Sequence, residues 1–184
     1  MTRIHIPATV DAAPASTHAS LKAVEKQLGV VPNLFRVVAN SPAALSGYLQ
    51  LSAASAQGGL DAATRERIAL VVAELNGCGY CLSAHTYLGR NVAKLDDAEI
   101  TANRNGASND PKADAAVRFA AAVVRQRGHV GNEQVQAVRS AGYSDAQVLD
   151  ILLAVALNTF TNYVNEVAQT EIDFPVVAPL RLAA

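Results

Sequence analysis

The chain of 184 residues has few charged side chains: they make up 17% of it, whereas 51% of its residues are apolar. Soluble domains are about one quarter charged, so this sequence has more apolar surface than an ordinary monomer buries. Subunit interfaces are depleted in charged groups, and we therefore expect a homo-oligomer. The alternative explanation is an alanine-rich helical protein, which scores as apolar without being adhesive.

Long apolar runs and basic clusters are also missing. The longest apolar runs, 68–73 and 151–157, are far shorter than the roughly 20 residues of a membrane helix, so we expect no membrane partner. The net charge is −1 and no basic-aromatic patch is present, which argues against nucleic-acid binding. The first residues lack the continuous apolar segment of a signal peptide. These absences predict a cytoplasmic protein.

Alternating β-branched runs with hairpin turns are absent, whereas 3.6-residue apolar spacing recurs, and this predicts an all-α fold. Pro7 and Pro14 indicate an extended N-terminal arm over 1–16, followed by one helical domain over 17–184. Proline, glycine and capping residues delimit the predicted helices. These are 17–28, a short helix from 32, 42–57, 62–75, 78–90, one from about 96, 112–127, 132–140 and 145–169.

Cysteine occurs only twice, at Cys78 and Cys81. A lone C-x-x-C pair in a cytoplasmic protein is more often catalytic or metal-binding than a structural disulfide. At the start of a helix, free backbone N–H groups and the helix dipole stabilise a thiolate and lower its pKa. The motif therefore predicts a redox site.

His85 follows Cys81 by four residues, the spacing that places two side chains on one helix face. The imidazole can take the Cys81 proton, and Glu66 on the preceding helix can orient or polarise it. A peroxidase cycle follows, in which Cys81 attacks peroxide, Cys78 resolves the sulfenic acid to a disulfide and an external dithiol protein restores both thiols. Cys78, nearer the helix entrance, is expected to be the more exposed thiol.

The runs 65–73 and 76–81, followed by His85, resemble the AhpD-like alkylhydroperoxidases of the carboxymuconolactone decarboxylase superfamily, in particular the peroxidase-related branch. The segments 29–35 and 158–163 resemble that branch too. The resemblance implies a trimer or hexamer, no cofactor, and Glu66, Cys78, Cys81 and His85 as site residues with Cys81 reacting with peroxide. Well-known members have a histidine between the cysteines. Here Tyr80 takes that position, where it can donate a hydrogen bond but does not titrate near neutrality.

Two other functions remain open. Cys78, Cys81 and His85 could be three ligands of a zinc site, with Glu66 or a distant histidine as the fourth. A non-catalytic helical scaffold or binding oligomer could also keep the fold. A polar stripe of asparagines at 158, 162 and 165 is interpreted as a hydrogen-bonded seam between helices or subunits, in preference to a lining of the redox pocket.

Overall fold

The computed structural model describes residues 2–180, and within that range the chain is helical without any strand. The all-α prediction is therefore confirmed. The described residues form nine α-helices in succession: α1 (His18–Leu28), α2 (Asn33–Val38), α3 (Pro42–Gln57), α4 (Ala62–Leu75), α5 (Gly79–Asn91), α6 (Asp97–Arg104), α7 (Pro111–Gln126), α8 (Asn132–Ser140) and α9 (Asp145–Ala168). The predicted arm begins at residue 1 and the predicted domain ends with residues 181–184. These residues lie outside the described part of the chain.

Local side-chain caps begin the helices that carry the site. The Asp61 carboxylate accepts a hydrogen bond of 2.7 Å from the Thr64 N–H at the start of α4. At the start of α9, the Ser144 hydroxyl accepts from the Gln147 N–H, and the Gln147 amide oxygen accepts from the Ser144 N–H. Each cap satisfies backbone donors that a helix end leaves unpaired. The two reciprocal bonds between Ser144 and Gln147 form a capping box.

The N-terminal arm is not extended throughout. It contains two short 3₁₀ helices, Val10–Ala12 and Ala15–Thr17. The Thr9 side chain caps the first of them by accepting a hydrogen bond from the Ala12 N–H. Proline and small polar residues, from which the extended conformation was predicted, are equally suited to such single turns. The division into an arm and a single domain stays a prediction.

The carboxylate of Glu99 does not complete a capping box with Asp96. Asp96 accepts from the Glu99 N–H at 2.7 Å, but the Glu99 side chain turns inward instead. It binds Arg67 at 2.7 Å, the Ser108 hydroxyl, the Asn103 amide and the Asn109 N–H. Although burial opposes the shift, these donors lower the pKa of Glu99 to about 2. The buried ion pair joins α4 to α6 and to the loop before α7.

Helix α4 forms the centre of the molecule. Its residues 68–73 are all buried, and α4 packs against α5, α6, α7 and α9. One apolar cluster lies between α4, α7, α8 and α9. A second lies between the N-terminal helices, the beginning of α5 and the C-terminal segment, and it contains Cys78 and Cys81. The thiols are therefore part of a hydrophobic core.

Helix α9 is packed on one face and open on the other. By length and composition alone it could cross a membrane, with 24 residues and a mean hydropathy of 1.2 over its best window. Core helices of globular proteins satisfy the same criterion, and α9 packs against α3, α4 and α7. Its open face carries a continuous apolar row, which we call the α9 stripe: Leu149, Leu152, Ala156, Phe160, Tyr163 and Val167.

The C-terminal tail, residues 169–180, runs back across the start of α5. The Val177 N–H donates to the Ser83 hydroxyl at 2.9 Å, and the Asp173 carboxylate accepts from the Asn33 N–H at 2.7 Å. Three apolar tail residues, Ile172, Phe174 and Val177, pack against the cluster that contains the thiols. The tail therefore covers the helix entrance where Cys78 lies.

Candidate active site

Helices α4 and α5 form a hairpin that brings Glu66 and His85 together. Gly77 adopts a left-handed conformation, with φ of 67°, in the turn between them, a conformation that glycine adopts without steric cost. As α5 returns along α4, the Glu66 carboxylate comes within 2.8 Å of His85 Nδ1. The contact that the sequence analysis expected between these residues is present in the structure. Nε2 is the imidazole nitrogen that Glu66 does not engage.

The two thiols lie at the first turn of α5. Cys78 is the N-cap residue, and its sulfur accepts a hydrogen bond of 3.4 Å from the Cys81 N–H. Both cysteines are reduced and buried. The start of a helix stabilises negative charge through its free N–H groups and its dipole, so the backbone already favours a thiolate at this position.

The surroundings of Cys81 favour its ionised form. A hydrogen bond from the Cys78 thiol, the positive charge of His85 and the amides of Asn165 and Asn162 lower its pKa to about 7, although burial opposes this shift. The Asn165 Nδ2 donates directly to the Cys81 sulfur at 3.3 Å. The same thiol–thiol hydrogen bond, together with burial, raises the pKa of Cys78. The surroundings of the two sulfurs therefore differ, and they favour ionisation of Cys81 over that of Cys78.

His85 is able to hold a proton close to Cys81. Burial lowers the pKa of the imidazole, but the charge and hydrogen bond of Glu66 and the charge of Cys81 outweigh it, and the net shift is upward. The side chains of both His85 and Glu66 are 21% exposed. Cys81, His85 and Glu66 thus line one edge of a cavity, with the imidazole bound to the carboxylate and able to carry a proton.

The asparagines of α9 contribute to this site as well as to helix packing. Asn165 contacts the Cys81 sulfur, while the Asn162 side-chain oxygen accepts from Asn76 Nδ2 at 2.8 Å and so joins α9 to the end of α4. Asn158 donates to the carbonyl of Ala154 within its own helix. The interpretation as a seam between helices holds for Asn162. Asn165 instead contacts the thiol, and Asn158 lines the cavity beside it, so the less favoured interpretation as a lining of the redox pocket describes Asn158.

Tyr80 points away from the sulfur atoms. Its hydroxyl accepts a hydrogen bond of 3.1 Å from the Leu34 N–H at the start of α2, and its ring meets Phe174 edge-on at 5.8 Å. Burial, acting first among several effects, raises its pKa. Tyr80 therefore holds α2 and the tail against the thiol helix, which is a positioning role rather than the relay role of a histidine.

The expected exposure of Cys78 is wrong. Cys78 has 0% relative exposure and Cys81 has 3%. The tail explains the difference, because a side chain built on neighbouring Gly79 would contact Ile172 and Pro179 of the tail at 3.8 and 3.9 Å. Position at a helix entrance implies exposure only where nothing else covers that entrance, and here a segment some ninety residues further along the chain covers it.

A cavity of about 250 Å³ reaches Cys81 from the other side. Its polar lining includes Glu66, His85, Asn158 and Tyr48, and Cys78 is not among the lining residues. Sequence analysis missed Tyr48, because no spacing connects it with the thiol motif. A second, more apolar cavity of about 440 Å³ shares Tyr48, Tyr80 and His85 with the first. A substrate of modest size can therefore approach Cys81 without displacing the tail.

The proposed zinc site receives no geometric support from the part of the chain that the structure describes. Within residues 2–180, no group of three or more His, Cys, Asp and Glu side chains is arranged to hold a metal ion. His85 uses Nδ1 for Glu66, and the Cys78 sulfur accepts from the Cys81 backbone. The donors are engaged in an arrangement suited to proton transfer.

Comparisons with known proteins agree with this fold. Residues 42–126 match the carboxymuconolactone decarboxylase family. An uncharacterized peroxidase-related protein with an alkylhydroperoxidase AhpD core, from Ralstonia eutropha JMP134, superimposes with a TM-score of 0.83 at 25% identity, covering 94% of this chain and 92% of its own. A peroxidase-related protein from Silicibacter sp. TM1040 gives 0.79 at 24% identity, covering 93% and 94%.

A third solved structure has the same fold but a different named chemistry. The debrominase Bmp8, in complex with 2,3,4-tribromopyrrole, superimposes with a TM-score of 0.78 at 19% identity, covering 94% of each chain. At that identity the likeness concerns the fold alone. No curated protein matches this sequence.

Proposed function

We infer from the family match over residues 42–126 and from the AhpD-core structure with the same fold that the chain is an AhpD-like member of the carboxymuconolactone decarboxylase superfamily, and we propose that it is a thiol-dependent peroxidase working through a Cys81–Cys78 dithiol–disulfide cycle. Peroxidase-related relatives support a general alkylhydroperoxidase-like role. The observation that carries the specific proposal is the contrast between the two thiols. Cys81 lines the cavity and accepts a hydrogen bond from Asn165 Nδ2, whereas Cys78 does neither and lies next to it as the second thiol.

The first step is attack of the Cys81 thiolate on the terminal oxygen of a hydroperoxide. An S–O bond forms, the O–O bond breaks, and the electron pair leaves with the second oxygen. The imidazolium of His85 supplies the proton that turns the leaving alkoxide into an alcohol, while Glu66, 2.8 Å away, stabilises the charged imidazole before transfer. Cys81 is then a sulfenic acid.

The second step is the attack of the Cys78 sulfur on that sulfenic acid. The Cys78 sulfur and the Cys81 backbone are already hydrogen-bonded at 3.4 Å within one helical turn, so a disulfide needs only local rearrangement. Water leaves, carrying the sulfenic oxygen. A dithiol reductant protein then returns two electrons and two protons, and both thiols are regenerated without a cofactor.

The proposal extends to the state and place in which the protein works. We propose a homo-oligomer, a trimer or hexamer, in the cytoplasm, where reduced thiols are maintained. The exposed α9 stripe supports self-association, because contiguous apolar surface on a soluble protein marks an interaction site. If the protein were only a non-catalytic scaffold, nothing would explain why a thiol with a lowered pKa lies beside an accessible cavity.

Steady-state consumption of tert-butyl hydroperoxide in the presence of dithiothreitol tests this function. Wild-type protein should consume peroxide catalytically, and Cys81→Ser should reduce the rate to the uncatalysed background. Cys78→Ser is the matched control, because it keeps the attacking thiol and should complete a first turnover. Equal rates for wild type and Cys81→Ser would refute the peroxidase function. Bromide release from 2,3,4-tribromopyrrole without peroxide consumption would instead assign the thiols to debromination.

A further inference from the structure

Tyr48 of α3 occupies a fixed position at the wall of the cavity. Its ring packs against Phe35 at a centroid distance of 5.4 Å and against Phe160 at 6.3 Å. Contacts on two sides restrict the ring to one orientation, so that its hydroxyl position is determined by packing. Tyr48 lines both cavities that meet at the thiol site.

The Tyr48 hydroxyl has no hydrogen-bond partner among the described residues, in contrast to the Tyr80 hydroxyl, which is bound by the Leu34 N–H. Burial raises the pKa of Tyr48, and the negative charges of Cys81 and Glu66 raise it further. Tyr48 lines the same cavity as both groups, and its raised pKa keeps the phenol protonated at neutral pH. A polar side chain that lines a cavity and has no protein partner is available for a ligand.

We propose that Tyr48 is a catalytic residue whose phenol donates a hydrogen bond to the leaving oxygen of the hydroperoxide while Cys81 attacks the terminal oxygen. The inference rests on the proposed peroxidase function and deepens it. As the O–O bond breaks, negative charge develops on the leaving oxygen within a cavity that already contains the Glu66 carboxylate. A preorganised neutral donor stabilises that charge.

The proton balance leaves Tyr48 unchanged by the reaction. The leaving oxygen takes the proton of the His85 imidazolium, which is equivalent to the proton that Cys81 lost, and becomes the alcohol. Tyr48 shares its proton during bond cleavage and retains it afterwards. Its contribution should therefore depend on how much charge the leaving oxygen acquires, rather than on the ionisation of Cys81.

Two oxidants with different leaving groups test this role in single-turnover reactions of Tyr48→Phe. tert-Butyl hydroperoxide expels a strongly basic alkoxide, and peracetic acid expels acetate, a weak base that gains little from a donor. We expect Tyr48→Phe to slow Cys81 oxidation by tert-butyl hydroperoxide roughly 100-fold, the usual loss for one oxyanion donor. The loss with peracetic acid should be at least about tenfold smaller.

Tyr143→Phe is the matched control, since Tyr143 is buried against α7 and α8 and lines a different cavity. It should leave both rates unchanged. Iodoacetamide alkylation of Cys81 should keep its pH profile in Tyr48→Phe, because the donor acts on the leaving oxygen. Equal losses with the two oxidants, or none, would overturn the role of Tyr48 while leaving the peroxidase intact. Wild type without Cys81-dependent peroxide consumption would overturn both.

Discussion

At the scale of single residues, the reactivity of the site depends on one thiol having neighbours that its partner lacks. Cys81 has a cationic imidazole, an amide donor from Asn165 and the Cys78 thiol around it. Cys78 lacks the imidazole and the Asn165 amide and is enclosed by apolar side chains. Because the thiolate is the nucleophilic form, this asymmetry predicts that Cys81 reacts first.

Substitution of His85 or Glu66 should raise the pKa of Cys81. His85→Gln removes the positive charge beside the sulfur, and we expect an upward shift of roughly one unit, equivalent to about 1.4 kcal/mol of lost thiolate stabilisation. Glu66→Gln should act in the same direction through His85, because the imidazole then holds its proton less firmly. The rate of iodoacetamide alkylation of Cys81 as a function of pH measures the shift.

His129→Gln is the control for this shift, since His129 is exposed in the turn between α7 and α8. Its alkylation profile should coincide with that of wild type. Profiles of His85→Gln and Glu66→Gln that also coincide with wild type would remove both residues from the proton relay.

At the scale of elements, the α4–α5 hairpin carries the proposed catalytic groups, and the C-terminal tail packs over the start of α5, where Cys78 lies. Motif spacing predicted the hairpin contact between Glu66 and His85, because both positions are fixed within adjacent helices. Spacing could not predict the tail over Cys78, the Asn165 contact or Tyr48. Those depend on segments 84 to 94 residues apart in sequence, or on packing between α2, α3 and α9 that leaves no local signal.

Loosening the tail should expose Cys78. Phe174 packs on Tyr80 at 5.8 Å and on Tyr87 at 5.9 Å, so Phe174→Ala removes the tail's aromatic anchor at the helix entrance. A loss of about 1.4 kcal/mol in the free energy of local opening would raise the reaction rate of Cys78 with Ellman's reagent about tenfold. The rate is best measured in a Cys81→Ser background, where Cys78 is the single thiol.

Val176→Ala is the matched tail substitution, because Val176 is 74% exposed and its side chain anchors little. It should leave the thiol reaction rate unchanged. If Phe174→Ala reacts no faster than Val176→Ala, the tail does not limit access to Cys78.

At the scale of the whole molecule, the proposed self-association would explain both the apolar composition and the exposed apolar face of α9. The low charge content predicted apolar surface in excess, and the structure locates a continuous part of it in the α9 stripe. The spacing of its members by three and four residues makes one row along the helix, as in helix-pairing seams. Composition could predict the excess but not the helix that carries it.

A charge within the α9 stripe should dissociate the oligomer. Leu149 is 65% exposed, so Leu149→Glu does not disturb the core, but it buries a carboxylate wherever the stripe forms an interface. We expect light scattering to show a smaller assembly than that of wild type. Val92→Glu is the control, because Val92 is 66% exposed at the end of α5 and lies outside the stripe; an equal effect of the two substitutions would exclude the stripe as the interface.

Trapping of the first oxidised intermediate tests the central claim most directly. In Cys78→Ser protein treated with one equivalent of tert-butyl hydroperoxide, the resolving thiol is absent, and the sulfenic acid on Cys81 should persist long enough to react with dimedone. The account predicts a dimedone adduct on the peptide that contains Cys81, formed in proportion to the peroxide consumed. Peroxide consumption without an adduct on Cys81, or no consumption at all, would contradict it.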